Sequence, residues 1–400
     1  MARTLELVAA AGVAAILTIV YLVFVGRTLG PSEYADFATA LSIVHFFAVA
    51  LSPVAPALAR IVARRIARGQ DEEATALRNA VVKRLAVACA AGTIILSAIS
   101  PLVTRWLNFR SALPVIVASI AALLFALVSA DRGVLQGRMR FRSYNFNIII
   151  EAVLRTGGAL LLLRLFPRTA TTALVSYVLA LVVAEAMMAA VSRPARTEAT
   201  VDWAELRTLT VPIFLLMIAA AAMQNLDMLA VKRWMSQEDA GRYGAAVAVA
   251  RAFAVVFVPV YVLAGPVLST AHERNEPVVR PAVRLMFLYL GLCAPGIAVL
   301  MLWPERVIQL SFGPDFAGGS FAVALLGWVV ILVHASLLLT QVLITLEDFR
   351  FLRIYAVALA AEVAGLLVFH DTIEQIVTVA CVVQVLLVMA MSVLVVRVRS

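Results

Sequence analysis

The stretch FAVALLGWVVILVHASLLLTQVL, residues 321–343, contains no Asp, Glu, Lys or Arg, and it decides the class of fold. A helix needs roughly 20 apolar residues to cross the hydrocarbon core of a bilayer, and this stretch is long enough to do so. Eleven further stretches of the same kind fill the chain from end to end, separated by short polar loops. We therefore predict an all-α integral membrane protein with twelve transmembrane helices.

The composition agrees with this interpretation. Hydrophobic residues make up 63% of the 400 residues, charged residues make up 14%, and the mean hydropathy is +0.99. The spans must be helical because hydrocarbon offers no partner to a bare backbone amide, whereas a β-barrel would show alternating segments of about ten residues. The predicted spans are Leu5–Gly26, Phe37–Leu58, Leu85–Val103, Leu113–Ser129, Phe146–Leu165, Ala170–Val191, Leu209–Val231, Gly244–Leu268, Leu285–Trp303, Phe321–Leu343, Phe351–Phe369 and Ile376–Val396.

The distribution of basic residues predicts the orientation in the membrane. Counted over the loops and the ends of the spans, Lys and Arg number 22 on one side and 9 on the other, and two further arginines, Arg155 and Arg251, lie deeper inside spans. Because cytoplasmic loops carry an excess of basic residues, both termini are expected in the cytoplasm. The net charge of +9 then indicates contact with anionic membrane lipids. We expect no nucleic-acid partner, since no basic stretch is interleaved with base-stacking aromatic residues.

The chain divides into two halves with six spans each. We predict an N-terminal six-helix bundle over residues 1–192, a cytoplasmic linker over 193–207 and a C-terminal six-helix bundle over 208–400. A shift of 206 residues aligns Val25–Pro53 with Val231–Pro259, and seven of the 29 positions are then identical. This pattern indicates an internal duplication. An even number of spans per half makes the repeats parallel and pseudo-symmetric about an axis along the membrane normal.

Three segments resemble the polysaccharide-unit exporters of the multidrug/oligosaccharidyl-lipid/polysaccharide (MOP) exporter superfamily. They are GRTLGPSEYADFATALSIV after the first span, DRGVLQGRMRFRSYN after the fourth, and NLDMLAVKRWMSQEDAGRYGAAVAVAR at the start of the second half. The resemblance implies a MATE/MOP-like pair of six-helix bundles around a central cavity. It also implies flipping of an undecaprenyl-pyrophosphate-linked oligosaccharide across the bacterial inner membrane by alternating access. Many relatives carry further spans at the C-terminus, and with twelve predicted spans we expect no lipid groove of the kind that those helices build.

Two other functions stay open at this point. The first is a multidrug or cation antiporter of the same superfamily, although the usual early-span carboxylate is missing, because Glu6 precedes span one and Asp36 lies in a predicted loop. The second is a membrane polysaccharide polymerase or ligase, for which the longest outer segment, Pro304–Ser320, is too short to form a catalytic domain. The chain lacks the ATP-binding loop and the hydrolase motifs His-Glu-x-x-His and Gly-x-Ser-x-Gly. We therefore expect a transporter without catalytic residues, not an enzyme.

Three cations inside predicted spans are the candidate substrate-binding residues. Ionisable groups within a membrane are costly and usually functional, and the 206-residue shift places His45 and Arg251 at equivalent positions. A pyrophosphate needs cationic partners, and the planar fork of arginine meets phosphate oxygens in pairs. Arg251, His45 and Arg155 are therefore predicted to line the central cavity. Each residue also has a structural alternative. Arg251 could pair with Asp227 and brace the helices, and His45 could be a hydrogen-bonded core residue. Arg155 could form a structural i,i+4 pair with Glu151.

Two carboxylates are candidate ion-coupling residues. Asp227, late in span seven, and Glu362, near the middle of span eleven, could exchange H⁺ or Na⁺ because a buried carboxylate can trade its charge for an ion. The alternative for Asp227 is a helix-end pair with Arg251, Lys232 or Arg233. Beyond a coupling ion, we expect no cofactor and no metal, since the three cysteines show neither disulfide nor metal-ligand spacing.

A basic stripe follows span two. Arg60, Arg64 and Arg68 recur every four residues, which places them on one face of a helix. We predict that they bind lipid headgroups, and a substrate-loading site is the alternative. The partners expected overall are the lipid-linked oligosaccharide, membrane lipids, and the glycosyltransferases and polysaccharide polymerase of the same pathway.

Overall fold

The computed structural model describes residues 2–191, 203–274 and 276–399, and every regular element in these ranges is a helix. A short 3-10 helix, Pro314–Gly319, precedes α13. The α-helices in chain order are α1 Ala2–Ala50, α2 Val54–Ala67, α3 Asp71–Trp106, α4 Leu113–Gly137, α5 Phe141–Leu165, α6 Ala170–Val191, α7 Trp203–Met223, α8 Leu226–Trp234, α9 Gln237–Ala250, α10 Phe253–Glu273, α11 Val279–Leu302, α12 Pro304–Phe312, α13 Ser320–Thr345, α14 Phe351–Val368 and α15 Ile373–Arg399.

The apolar helices match the predicted spans. Among the described residues, ten helical stretches are long and apolar enough to cross a membrane. One of them, Ala9–Ala67, has 59 residues and covers both span one and span two. The predicted span Gly244–Leu268 falls on α9 and α10, which meet at Arg251 and Ala252. The all-α class of the fold is thus confirmed.

The described chain forms two compact units. The N-terminal unit consists of Met1–Leu29 and Asp36–Ala221, and the C-terminal unit consists of Gly30–Ala35 and Ala222–Ser400. Six residues from the first half of the sequence therefore belong to the C-terminal unit. The predicted linker lies outside the described residues as far as residue 202, and residues 203–207 form the first turns of α7.

The predicted loop between spans one and two is helical. α1 runs through it with a single non-helical residue, Gly30, whose φ is 72° and ψ is 169°. Only glycine adopts such a conformation without strain, and Pro31 directly after it has the fixed φ that suits the first position of a new helical segment. A kink therefore replaces the expected turn.

The segment Gly30–Ala35 is packed tightly within the C-terminal unit. Gly241 of α9 lies so close to Pro31 that a Cβ atom at position 241 would be 1.8 Å from the Pro31 carbonyl oxygen. The ring of Tyr34 makes edge contacts with Phe312 and Phe316, at centroid distances of 5.5 and 5.7 Å. The first and second copies of the repeated loop thus touch at Pro31 and Gly241.

In the N-terminal unit, α2 packs against α4 at glycines. A Cβ atom on Gly133 would lie 2.3 Å from the carbonyl oxygen of Ala55, and one on Gly137 would lie 2.5 Å from that of Ala59. Two small residues one turn apart on α4 therefore allow the backbones of the two helices to meet. An apolar cluster of α2, α3 and α4 that includes Leu58 continues this contact.

Candidate functional site

Two buried carboxyl groups lie together in the C-terminal unit. Asp227 stands in the first turn of α8, and its Oδ2 accepts a 2.6 Å hydrogen bond from the Tyr243 hydroxyl of α9. Glu362 of α14 is 0% exposed and close enough to Asp227 for an electrostatic interaction. Neither oxygen of Glu362 finds a hydrogen-bond partner among the described residues. The two predicted coupling residues, 135 positions apart in the chain, are therefore neighbours in the fold.

The break between α7 and α8 creates this arrangement. The helix stops at Met223, Gln224 and Asn225 form a turn, and the chain becomes helical again at Leu226. Asp227 consequently lies at a helix N-terminus, where free backbone N–H groups favour a negative charge. Glu362 lies in the interior of α14 and has no comparable support. The environments of the two carboxyl groups thus differ.

Arg251 reaches this break from the end of α9. Its Nη2 donates hydrogen bonds to the Gln224 carbonyl oxygen at 3.1 Å and to Asn225 Oδ1 at 2.9 Å. The guanidinium is close enough to interact electrostatically with Asp227, but within the described part of the chain no hydrogen bond joins the two. Among the described residues, both side-chain hydrogen bonds of Arg251 use Nη2, and Nη1 and Nε make none. The half-buried guanidinium is thus held in place through Nη2, and its Nη1 and Nε remain available to a ligand.

This set of groups, Asp227, Tyr243, Glu362 and Arg251, can do two kinds of chemistry. An ionised carboxylate buried without a partner costs several kcal/mol, so each of these buried carboxyl groups favours a bound proton or a bound cation. The available edge of the guanidinium can accept an anion, with two parallel hydrogen bonds to a phosphate. Across the described ranges, three or more His, Cys, Asp or Glu side chains do not gather into a metal site.

Arg155, the second predicted cation, belongs to a network in the N-terminal unit. Its Nη1 lies 3.3 Å from Glu151 Oε1, so the i,i+4 pair expected from the sequence is present. Glu151 Oε2 also accepts a 3.0 Å bond from Arg132 of α4, and Arg132 Nε donates to Asn147 Oδ1 at 2.8 Å. The network therefore ties α4 to α5.

Aromatic rings enclose the guanidinium of Arg155. Its Cζ atom lies 5.4 Å from the ring centroid of Tyr21 and 4.9 Å from that of Tyr177, which is the geometry of cation–π contacts. Arg155 also donates to the Thr18 hydroxyl. Substrate binding by Arg155 stays a prediction, and these contacts give the residue a bracing role between α1, α5 and α6.

A second buried ion pair was not predicted. Arg78 of α3 donates to both carboxylate oxygens of Asp131, with Nε at 2.7 Å from Oδ1. The predicted spans leave Arg78, Asp131 and Arg132 outside the membrane helices, whereas the structure places all three inside α3 and α4. The apolar stretch ends at Ser129, but the helix continues to Gly137, because inward-facing charged residues find partners there. In the sequence, the segment that begins at Asp131 carries a resemblance to the exporters but no sign of this ion pair.

His45 lies on α1 in the N-terminal unit and is half-buried. The structure places it with Arg155 in one unit and Arg251 in the other. A central cavity lined by all three residues stays a prediction.

The basic stripe lies at α2, which contains the last residues of predicted span two, Val54–Leu58, and is separated from α1 by a break at Leu51–Pro53. Arg60 is exposed on α2, and Arg68 is exposed just after the last helical residue. Arg64, between them, is half-buried. The apolar side of α2 is buried against α3 and α4. Binding of lipid headgroups by the basic stripe stays a prediction.

The solved structures with similar folds are transporters. An inward-facing multidrug resistance MATE family transporter of the MOP superfamily superposes with a TM-score of 0.80, at 12% identity, over 96% of this chain and 95% of that one. The MATE multidrug transporter DinF-BH gives 0.73, at 14% identity, over 99% and 94%. A MOP superfamily transporter from Pyrococcus furiosus, described as having a binding pocket of reverse polarity, gives 0.65, at 14% identity, over 100% and 96%.

At these identities the likeness shows the fold alone, and it confirms the predicted MATE/MOP-like arrangement of twelve spans. No curated protein matches the chain. The family described as polysaccharide biosynthesis protein matches residues 2–272. Since this match spans more than half of the sequence, the chain belongs to the polysaccharide biosynthesis protein family, and its fold is similar to that of MOP superfamily transporters.

Proposed function

We propose that the protein flips an undecaprenyl-pyrophosphate-linked oligosaccharide across the bacterial inner membrane by alternating access. The observation that carries the proposal is the family match over residues 2–272, on a chain with a transporter fold. A flippase avoids dragging the hydrated pyrophosphate and sugars through hydrocarbon, where unpaired polar groups cost several kcal/mol each. Glycosyltransferases would supply this substrate, and a polysaccharide polymerase would consume it.

Arg251 is the best-supported group for binding the pyrophosphate. Its Nη2 is fixed by Gln224 and Asn225, which orients the remaining N–H groups without engaging them. A preoriented fork loses less side-chain entropy when it binds a phosphate than a mobile arginine does. His45 and Arg155 are proposed as further contacts in the N-terminal unit.

Replacing Arg251 with alanine should lower flipping of a fluorescent lipid-linked oligosaccharide in proteoliposomes at least about tenfold, because losing a phosphate-bound charge costs about 2 kcal/mol or more. Arg251→Lys should recover part of the rate, since it keeps the charge but loses the paired geometry. Arg284→Ala, at an exposed arginine of α11, is the matched control. Gel filtration of each variant shows whether the protein is folded. Wild-type flipping by a folded Arg251→Ala protein would end the assignment.

The same proteoliposomes test the alternative function. The neighbouring solved structures include multidrug transporters, so a cationic dye offered in place of the lipid distinguishes a drug antiporter from a flippase. Our proposal requires transport of the lipid-linked oligosaccharide. Dye transport without lipid flipping would support the antiporter instead.

Asp227 and Glu362 are proposed to couple flipping to an ion gradient. Asp227 is supported by a helix N-terminus and by Tyr243, so it holds a negative charge more easily than Glu362 does. Glu362 has no hydrogen-bond partner among the described residues and is therefore the group that we expect to bind and release a proton. A sodium ion between the two carboxyl groups would have the same electrostatic effect.

The orientation is proposed from the excess of basic residues on one side, with both termini in the cytoplasm. A fusion of green fluorescent protein after Arg142 should fluoresce, and a fusion of alkaline phosphatase at Gly313 should be active, because each reporter works on one side of the membrane only. Exchanging the two reporters gives the internal control. Active phosphatase at position 142 would reverse the proposed topology.

A further inference from the structure

Six charged side chains form a cluster in the N-terminal unit, and the proposed transport steps give one of them, Glu185, no role. The charge cluster consists of Arg78 on α3, Asp131 and Arg132 on α4, Glu151 and Arg155 on α5, and Glu185 on α6. Three arginines and three carboxyl groups would allow one ion pair for each carboxylate. The ion pairs in the structure are distributed differently.

Two of the three carboxylates engage all three arginines. Asp131 accepts hydrogen bonds from both Nε and Nη2 of Arg78. Glu151 pairs with Arg132 at 3.0 Å and with Arg155 at 3.3 Å. Hydrogen bonds to an ionised carboxylate are strong and directional, so each arginine is held by the partner that it already has.

Glu185 is the carboxyl group of the cluster without such a partner. Among the described residues it takes part in no ion pair, and its buried Oε2 atom accepts no hydrogen bond. Arg78 and Arg132 are close enough to interact with it electrostatically, but the carboxylate of Asp131 is as well. Two carboxylates that share a site oppose the ionisation of one of them. Glu185 is therefore the member of the cluster that favours the neutral, protonated form.

The backbone of α6 next to Glu185 is fixed by a buried asparagine. Asn147, which is 0% exposed, donates from Nδ2 to the carbonyl oxygen of Ala184 at 2.9 Å and accepts the Nε hydrogen bond of Arg132 at 2.8 Å. Glu185 lies six residues before the end of α6, which corresponds to about 9 Å along the helix. An ionised carboxylate at this depth loses hydration, and no arginine of the described cluster offsets the loss.

We propose that Glu185 binds a proton, and that this proton completes the packing of α6 against α4. With the proton bound, Glu185 is neutral, and the pairs of Asp131 and Glu151 stay intact. When the proton leaves, a second negative charge faces Asp131 and competes for Arg78 and Arg132. The site is separate from the carboxyl pair of the C-terminal unit, and it does not rest on the proposed function.

The pH dependence of stability distinguishes a bound proton from a buried negative charge. Glu185→Gln copies the protonated side chain and cannot ionise. In the unfolded chain a glutamate releases its proton near pH 4.3, whereas the folded protein is proposed to hold it to higher pH. Each further rise in pH then favours unfolding of the wild type but not of the variant. The melting temperature of Glu185→Gln in detergent should exceed that of the wild type by at least about 2 °C at pH 8, and by less at pH 5.

Two further variants control this measurement. Glu374→Gln removes an exposed carboxylate from the first turn of α15, and its difference from the wild type should not change between pH 5 and pH 8. Glu185→Ala also lacks the carboxyl group but fills less space. Its melting temperature should be lower overall, and its difference from the wild type should change with pH in the same direction as that of Glu185→Gln.

Three outcomes would overturn the proton site. The first is a difference between the wild type and both Glu185 variants that stays constant from pH 5 to pH 8. The second is a loss of stability in Glu185→Gln that grows with pH, because an ionised Glu185 would then be stabilised by an arginine. The third is failure of both variants to fold at either pH, since glutamine would then not replace the protonated side chain. None of these outcomes depends on whether the protein flips a lipid.

Discussion

Replacing Gly241 with alanine should leave almost no folded protein in the membrane. The new Cβ atom would lie 1.8 Å from the carbonyl oxygen and 2.5 Å from the carbonyl carbon of Pro31. Both obstacles are backbone atoms, next to a glycine that is held at a φ of 72°, so a side-chain movement does not relieve the overlap. Strain of this kind belongs to the small class of substitutions that cost more than about 4 kcal/mol. Fluorescence-detected gel filtration of a fusion protein measures the surviving fraction.

Alanine substitutions at two other glycines serve as comparisons for Gly241→Ala. Gly291 of α11 has nothing within 4 Å of an added Cβ, so Gly291→Ala should be neutral or stabilising by about 0.5–1 kcal/mol. At Gly133 the nearest atom, the carbonyl oxygen of Ala55, would be 2.3 Å away, and Gly133→Ala should lie between the other two variants. A Gly241→Ala protein with the elution profile and melting temperature of the wild type would show that the close approach at Pro31 is not required.

Replacing Glu362 with glutamine should abolish the stimulation of flipping by an ion gradient while leaving the protein folded. The carboxyl group makes no hydrogen bond with the described residues, so the substitution removes no interaction that stabilises the fold. It also removes the group proposed to bind the proton. A gradient of one pH unit is worth about 1.4 kcal/mol per proton, which corresponds to a tenfold accumulation ratio if one proton moves with each lipid. Proteoliposomes with imposed pH or sodium gradients measure this ratio.

The substitution Asp227→Asn tests the role of Asp227 separately from that of Glu362. Asparagine still accepts the hydrogen bond of Tyr243, so the fold should persist, and the negative charge that faces Glu362 is lost. Glu374→Gln, at an exposed carboxylate in the first turn of α15, is the control and should keep the full response. A Glu362→Gln protein that responds to the gradient like the wild type would exclude Glu362 as the coupling group.

The sequence predicts the spanning helices well because length and hydrophobicity determine them locally. The stretch Phe321–Leu343 lies wholly within α13, and the repeated segments around Pro31 and Gly241 are in contact in the structure. Hydrophobicity does not predict the end of α4: the predicted span ends at Ser129, but the helix continues through Asp131 to Gly137. A charge ends an apolar stretch in the sequence, but it does not end a helix when a partner such as Arg78 lies opposite.

The pairing of the candidate residues depends on tertiary structure that the sequence does not show. Asp227 and Glu362 were predicted separately, and their proximity follows from the packing of α8 on α14. The contacts of Arg251 with Gln224 and Asn225 likewise depend on a helix break that hydropathy does not reveal. Glutamine and asparagine within an otherwise apolar span were the only local sign of that break.

The kink at Gly30 has a consequence for how the protein is made. Pro31 leaves the ribosome early, but its neighbour Gly241 follows only after a delay of roughly 10 to 40 seconds at the usual rates of translation. During that interval the segment Gly30–Ala35 is already synthesised, but the residues of the second half against which it packs are not. Biogenesis ends only when the second half has been synthesised and has enclosed a piece of the first.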